Sequence, residues 1–175
     1  MTISKGQVIS KSGPGKKIGR RAPHCVRDLM KPRVIAVTGV TFLPEAARIM
    51  KEEDIGALPV IKEDGTLIGI LTDRDIAVRA VAADLEVRVT QVGEICTSDD
   101  VLSVSPDTSL EQAEKLMSEH QVRRLPIVEG KNHLVGVLSL ADLIHQERAR
   151  NWHDVVEGVC KPGGEHTQVY ENLPQ

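Results

Sequence analysis

Ile55-Gly56-Ala57-Leu58-Pro59-Val60-Ile61, followed by Gly69-Ile70-Leu71-Thr72-Asp73-Arg74-Asp75, returns 67 residues later as Val122-Arg123-Arg124-Leu125-Pro126-Ile127-Val128 and Gly136-Val137-Leu138-Ser139-Leu140-Ala141-Asp142. The register extends to Leu43 with Leu110 and Met50 with Met117, and a hydroxyl three residues before an aspartate recurs as Thr72/Asp75 and Ser139/Asp142. The chain is an internal duplication, and repeats must be found before any other fold argument is made. Each copy is near the size at which a chain buries too little surface to be stable alone, so the two should pack face to face. Repeats related by a pseudo-twofold axis make two equivalent clefts where they meet, and such boundaries are favoured ligand sites.

The duplication sets the expected organisation: a flexible basic arm over 1–22, a first repeat over 23–85, a linker over 86–91, a second repeat over 92–147, and a C-terminal helical extension and flexible tail over 148–175. The arm carries Lys5, Lys11, Lys16, Lys17, Arg20 and Arg21 with no acid, on a chain whose net charge is -3. A like-signed run with Ser, Gly and Pro suits a mobile tether or a solubilising extension, and both ends are expected to be dispensable for ligand binding. Gly13-Pro14-Gly15-Lys16-Lys17 lacks the earlier glycine and the following hydroxyl of a phosphate loop.

Hydrophobic residues make up 41% of the 175, yet there is one Phe, one Trp and one Tyr. The core is therefore aliphatic, and the scarcity of stacking rings disfavours a nucleic-acid binder. No apolar run has the length of a membrane span and no secretory segment is present, which points to a cytoplasmic protein with no membrane association. Cys25, Cys96 and Cys160 are odd in number and lack close pairing, so a disulfide scaffold is not expected, although Cys25 and Cys96 fall near the starts of the two repeats and a contact between them is conceivable. The six histidines show no compact metal-ligand spacing, and no catalytic motif is found.

Within each repeat the pattern reads helix, strand, strand, helix. Thr41 opens a helix with Leu43, Ala46, Ala47 and Met50 on one face and Pro44 in its first turn; Thr108 and Glu111 form a Thr-x-x-Glu capping box ahead of the stripe Leu110, Ala113 and Met117. The runs 57–61 and 67–71 flank Glu63-Asp64-Gly65 and predict a hairpin. Pro59 and Pro126 lack an N–H, so their strands should be edges or face a gap. The second helices are expected over Asp73–Ala83 and from Leu140 to about Val156.

This order, with Gly, a hydroxyl and Asp closing the second strand in both copies, resembles the CBS domain, two of which form the tandem pair called a Bateman module. The resemblance runs from Cys25 to Gln146. It is strongest to small stand-alone bacterial CBS-pair proteins, including the hypoxic response type, through Asp54-Ile55-Gly56-Ala57-Leu58-Pro59, Thr72-Asp73-Arg74-Asp75-Ile76 and His120-Gln121-Val122-Arg123-Arg124. It implies an α+β fold of two packed CBS repeats, a homodimer in a disc-shaped arrangement, an adenine-nucleotide ligand, no obligatory cofactor and an unknown effector protein.

It also implies residue roles. Asp75 and Asp142 would accept the ribose hydroxyls, with Thr72 and Ser139 at phosphate or ribose. An ionised carboxylate is acceptor-only and takes two O–H donors, while the hydroxyls stand at helix N-termini suited to anions. The plainer alternative is that Thr72 and Ser139 cap the helices after them and the aspartates complement the helix ends. The copies also differ: Arg74 is matched by Ala141, and Gly56-Ala57 by Arg123-Arg124. At most one of Arg123 and Arg124 is expected to reach a phosphate in any one cleft, because adjacent strand residues point oppositely. Adenine would lie against Val34, Ile35, Leu58 and Pro59. Three functions remain open from sequence: a non-catalytic adenosyl-ligand sensor, a scaffold with vestigial clefts, and a redox- or metal-responsive protein.

Overall fold

The computed structural model describes residues 7–10, 24–30, 33–99, 101–146 and 153–161. The first unit contains β2 (Arg33–Thr38), α1 (Leu43–Glu52), β3 (Ala57–Ile61), β4 (Leu67–Thr72) and α2 (Asp73–Asp75), which continues as a π-helical turn over Ile76–Val81. The second repeats this with α4 (Leu110–Glu119), β5 (Arg124–Glu129), β6 (His133–Ser139) and α5 (Leu140–Gln146), ahead of α6 (His153–Cys160). The α+β fold of paired repeats is thus as expected.

Inside the expected basic arm, β1 (Gln7–Ser10) pairs antiparallel with β2, from Gln7 opposite Ala36 to Ser10 opposite Arg33. That stretch is ordered as a sheet strand because β2 offers an open edge; the other arm residues lie outside the described ones. Sheet order in the first unit is β1-β2-β3-β4. β3 is therefore interior and not an edge, which leaves the other half of the expectation, that Pro59 faces a gap. The proline is accommodated because the parallel ladder to β2 begins only at Val60, opposite Val37. In the second unit the strand equivalent to β2 is reduced to one parallel bridge, Val104 with Ile127.

The helix faces follow the apolar spacing with small shifts. Leu43, Ala46, Ile49 and Met50 are buried in α1, whereas Ala47 is exposed. The cap of α4 is Ser109 rather than Thr108: its hydroxyl accepts from Gln112 N at 3.2 Å and Gln112 Oε1 accepts from Ser109 N at 3.3 Å, a capping box one residue later than expected. Thr108 Oγ1 instead accepts from Ser105 N at 3.1 Å, closing the preceding turn. Residues 147–152, inside the long second helix expected from Leu140, lie outside the described residues.

Three apolar clusters organise the packing. One, around Leu58, Leu71 and Leu43, fills the space between the first unit's sheet and its helices; a second, around Leu125, Leu138 and Met117, does so in the other unit. The third joins Val34, Ala36, Ile61 and Leu67 to Leu134, sealing the two sheets against each other. A feature absent from the sequence reading is an exchange of leaders. The short 3-10 helix Val26–Asp28 precedes the first repeat yet contributes Val26 to the second unit's core, and α3 (Val92–Ile95) precedes the second repeat yet contributes Val92 and Ile95 to the first. Backbone bonds mirror each other: Val26 N to Thr108 O at 2.9 Å and Val92 N to Thr41 O at 2.8 Å.

The units also meet at their hairpin turns. Leu67 N donates to Asn132 O at 2.9 Å, Leu134 N to Gly65 O at 3.0 Å, and Asn132 Nδ2 to Leu67 O at 2.8 Å. Gly65 has φ 82°, and a Cβ there would stand 2.5 Å from the His133 ring, so only glycine fits both the turn and the contact.

Candidate functional site between the repeats

Which side chains face the other unit follows from strand register. In β3 and β4, Leu58 pairs with Leu71 toward the helices, so the alternating pairs Pro59 with Ile70 and Ala57 with Thr72 turn to the opposite side, toward the other unit. A bulge near Val60/Ile61 keeps Ile61 and Leu67 on that side too. In β5 and β6 the same register turns Pro126 with Val137, and Arg124 with Ser139, toward the first unit. The third cluster seals the far ends of these strands. Thr72 and Ser139 therefore sit beyond the seal, at the matching ends of β4 and β6 away from it.

At each of these ends the strand passes into a helix through a reciprocal capping arrangement. Asp75 Oδ2 accepts from Thr72 N at 2.8 Å and Thr72 Oγ1 at 2.7 Å, while Asp75 N donates back to Thr72 Oγ1 at 3.1 Å. Asp142 Oδ2 accepts from Ser139 N at 3.0 Å and from the Ser139 hydroxyl, and Asp142 N donates to Ser139 Oγ at 3.2 Å. The capping role weighed from sequence is thus present at both junctions. At Asp75 it engages one carboxylate oxygen, Oδ2, and a carboxylate has two.

The other oxygen of Asp75 lies 3.4 Å from Nε of Arg79, which was not singled out from sequence. Arg79 Nη1 also donates to Ile95 O at 2.9 Å and to Thr97 Oγ1 at 3.2 Å. Thr97 belongs to the exchanged leader of the second unit and exchanges both backbone bonds with Ile70 at the edge of β4, each 2.9 Å. Cys96 packs 3.0 Å from where a Cβ on Gly69 would stand. Burial pushes its thiol pKa up, and the Asp75 carboxylate adds to the shift. The one sequence signal for Arg79 was its place four residues after Asp75 on a helix.

The remaining candidates are placed unequally. Arg124 is half-buried on the same side as Ser139, whereas Arg123 is exposed and its carbonyl accepts from Leu140 N at 2.9 Å, so the two arginines do diverge. Arg74 is exposed on α2 beside Asp73. Gly56 stands where Arg123 does, and a Cβ on it would lie 2.9 Å from Asp73 Oδ2. Of the four adenine-side residues, Val34 and Pro59 face the other unit. Leu58, with 0% exposure, and Ile35 pack into the helical cluster instead, and strand alternation removes both from any surface a base would touch. A recess of about 410 Å³ lined by Ser103, Val104, Thr108, Gln112 and Lys115 lies against α4, away from Thr72 and Ser139.

Cys25, Cys96 and Cys160 are free thiols. Leader exchange carries Cys25 to Ser109 and Cys96 to the first unit's core, so the conceivable Cys25–Cys96 contact does not form. Among the described residues no group of three His, Cys, Asp or Glu side chains is placed to hold a metal ion, and no helix is long and apolar enough to cross a membrane.

Paired α+β repeats, each closing its second strand on a hydroxyl–aspartate junction, define a tandem two-repeat architecture. The CBS domain profile matches residues 26–81 and 92–148, and the chain belongs to the CBS domain family. Both matches begin at the exchanged leaders. The chain is 46% identical over 118 residues to the CBS domain-containing protein YhcV of Bacillus subtilis, covering 67% of this chain and 81% of that protein. It is 36% identical over 136 residues to Hypoxic response protein 1 of Mycobacterium tuberculosis, covering 78% and 94%. Two solved CBS pairs carry adenosyl ligands: protein MJ0100 with 5-methylthioadenosine and S-adenosyl-L-methionine (TM-score 0.62, 27% identity, 69% and 93% covered), and CBSX2 with AMP (TM-score 0.61, 29% identity, 70% and 95% covered).

Proposed function

We propose that this protein is a non-catalytic regulatory module that senses an adenosyl-containing small molecule, with adenine nucleotides first among them, in the two clefts between its CBS repeats. The observation that carries this reading is the doubled junction: Thr72/Asp75 and Ser139/Asp142 recur at the matching ends of the second strands, with Thr72 and Ser139 on the side that faces the other unit. The AMP and S-adenosylmethionine complexes of related pairs support the ligand class. The roles of Thr72, Asp75, Ser139 and Asp142 at ribose and phosphate, of Arg124 as a phosphate cation, and of Val34 and Pro59 beside the base belong to the same proposal. So does the division into arm, two repeats, linker and C-terminal extension.

The same reading makes the protein a homodimer that hands its signal to a separate effector. Support comes from an asymmetry of the outer surface. Val40, Phe42, Val78, Val81, Leu85 and Val89 are large apolar side chains with at least 41% exposure, all in the first unit or the linker. The positions matching Val40, Phe42 and Val78 are Asp107, Ser109 and His145. In the second unit α6 already lies on α4, with Val159 in the core. A second copy therefore fits the first unit's bare helical side. Unpaired thiols suit a reducing cytoplasm.

A thermal-shift series with AMP, ADP, ATP and S-adenosylmethionine tests the ligand class, because a ligand that binds only the folded form raises its stability by mass action. At 100 times the dissociation constant the gain is about 2.7 kcal/mol. Asp75→Ala and Asp142→Ala should each reduce the calorimetric stoichiometry or affinity of one cleft. No shift with any of the four ligands overturns the reading in favour of a scaffold with vestigial clefts.

A further inference from the structure

The Asp75 carboxylate is divided between two duties. Oδ2 serves the cap with Thr72, and Oδ1 faces Nε of Arg79 at 3.4 Å. The guanidinium also holds the Ile95 carbonyl and the Thr97 hydroxyl through Nη1, at 2.9 and 3.2 Å. One cation thus ties the start of α2 to the leader of the other repeat, at the edge of β4. None of these contacts uses Nη2, whose two N–H donors lie on a side chain that is 44% exposed. Arg79 stands in the π-helical turn Ile76–Val81, a geometry frequent at functional sites. The second unit has a regular α5 and carries Gln146 at the matching place, so this cation belongs to one cleft alone.

Resting on the proposed adenosyl ligand, we infer that Arg79 is the phosphate-reading residue of the Asp75 cleft. Without ligand, Arg79 neutralises Asp75, which alone would repel a phosphate. When ribose hydroxyls take Oδ1, the arginine keeps its anchors at Ile95 and Thr97 and presents Nε and Nη2 to the phosphate. One charged partner is exchanged for another, and the planar fork suits the bidentate geometry of phosphate oxygens. The exchange also favours phosphorylated ligands here over neutral adenosine.

The test is calorimetry with AMP and with adenosine on the full chain carrying Asp142→Ala, which leaves the Asp75 cleft as the reporter, with circular dichroism to verify folding. Adding Arg79→Gln should weaken AMP by about tenfold or more, or about 1.4 kcal/mol, while adenosine stays within about twofold. Arg79→Lys, which keeps the charge and loses the fork, should fall between. Equal weakening of AMP and adenosine makes Arg79 a structural tie only and overturns the inference, as does unchanged AMP binding in Arg79→Gln. If the Asp142→Ala protein binds neither probe and the unaltered chain binds neither, the adenosyl reading itself has failed. If only the unaltered chain binds, the Asp75 cleft is not a site and the assignment of Arg79 falls alone.

Discussion

Val26 donates its backbone N–H to the carbonyl of Thr108, 82 positions on, and its side chain is wholly enclosed by the second repeat's core. Arg27 follows, with Nη2 3.0 Å from Asp107 Oδ1. The first residues of one repeat are therefore structural members of the other, and Val92 with Ile95 returns the arrangement.

Exchange of this kind makes the two units a single cooperative block. Val26→Ala removes two methyl groups from a site with 0% exposure and should cost about 2 kcal/mol. For a chain of this length that is a fall of about 4–8 °C in melting temperature. Calorimetry should show one transition moving as a whole; two transitions, with only one displaced, would contradict the coupling.

The proposed dimer is tested at Phe42, which is 45% exposed and bridged to Gln91 at the edge of the apolar surface. Phe42→Asp should leave the circular dichroism spectrum intact and convert a dimeric mass to a monomeric one in light scattering at micromolar protein. A monomeric starting chain, or a dimer unaffected by the charge, excludes this surface as the interface.

Acid should loosen the first leader. Amide donors from His24 and Cys25, at 2.9 and 3.2 Å, hold the Asp28 carboxyl below its ordinary pKa. A depressed carboxylate pKa means stability that is complete above the ordinary carboxylate range and is lost as pH falls through the folded value. Asp28→Asn should thus be less stable than the unaltered chain near neutrality and nearly equal to it in strong acid. The exposed position keeps the difference under about 1 kcal/mol. Urea unfolding across acidic pH measures it, and a gap that widens on acidification refutes the assignment.

The paired repeats, both hairpins and the two hydroxyl–aspartate junctions were legible in sequence because each is local and stated twice. What escaped it is non-local. Leader exchange depends on where Val26 and Val92 find apolar cover, and these two stand 66 positions apart where the repeat cores keep 67. The facing of Ile35 and Leu58 was settled by pairing register, a one-residue matter that moves a side chain to the other face of a sheet. Arg79 became visible only once α2 was set beside Ile95 and Thr97. The C-terminal extension was expected to be dispensable for ligand binding; its part in packing is a separate matter that sequence did not show, since Val159 lies in the second core and Lys161 O accepts from Gln121 Nε2 at 2.7 Å. A cut there removes packing as well as tail.

The turn-to-turn bonds at Gly65 and Asn132 join the starts of β4 and β6. Thr72 and Ser139 stand at the opposite ends of those strands, a lever arm of roughly 17–20 Å at about 3.3 Å per residue. With the turns as fulcrum, a rotation of about 5° between the sheets moves the cleft mouths by roughly 1.6 Å, about half a residue of strand rise. Adjustments of that scale at the proposed ligand site would thus need only small angular changes at the clasp. A side chain at position 65 would press on the His133 ring at that clasp.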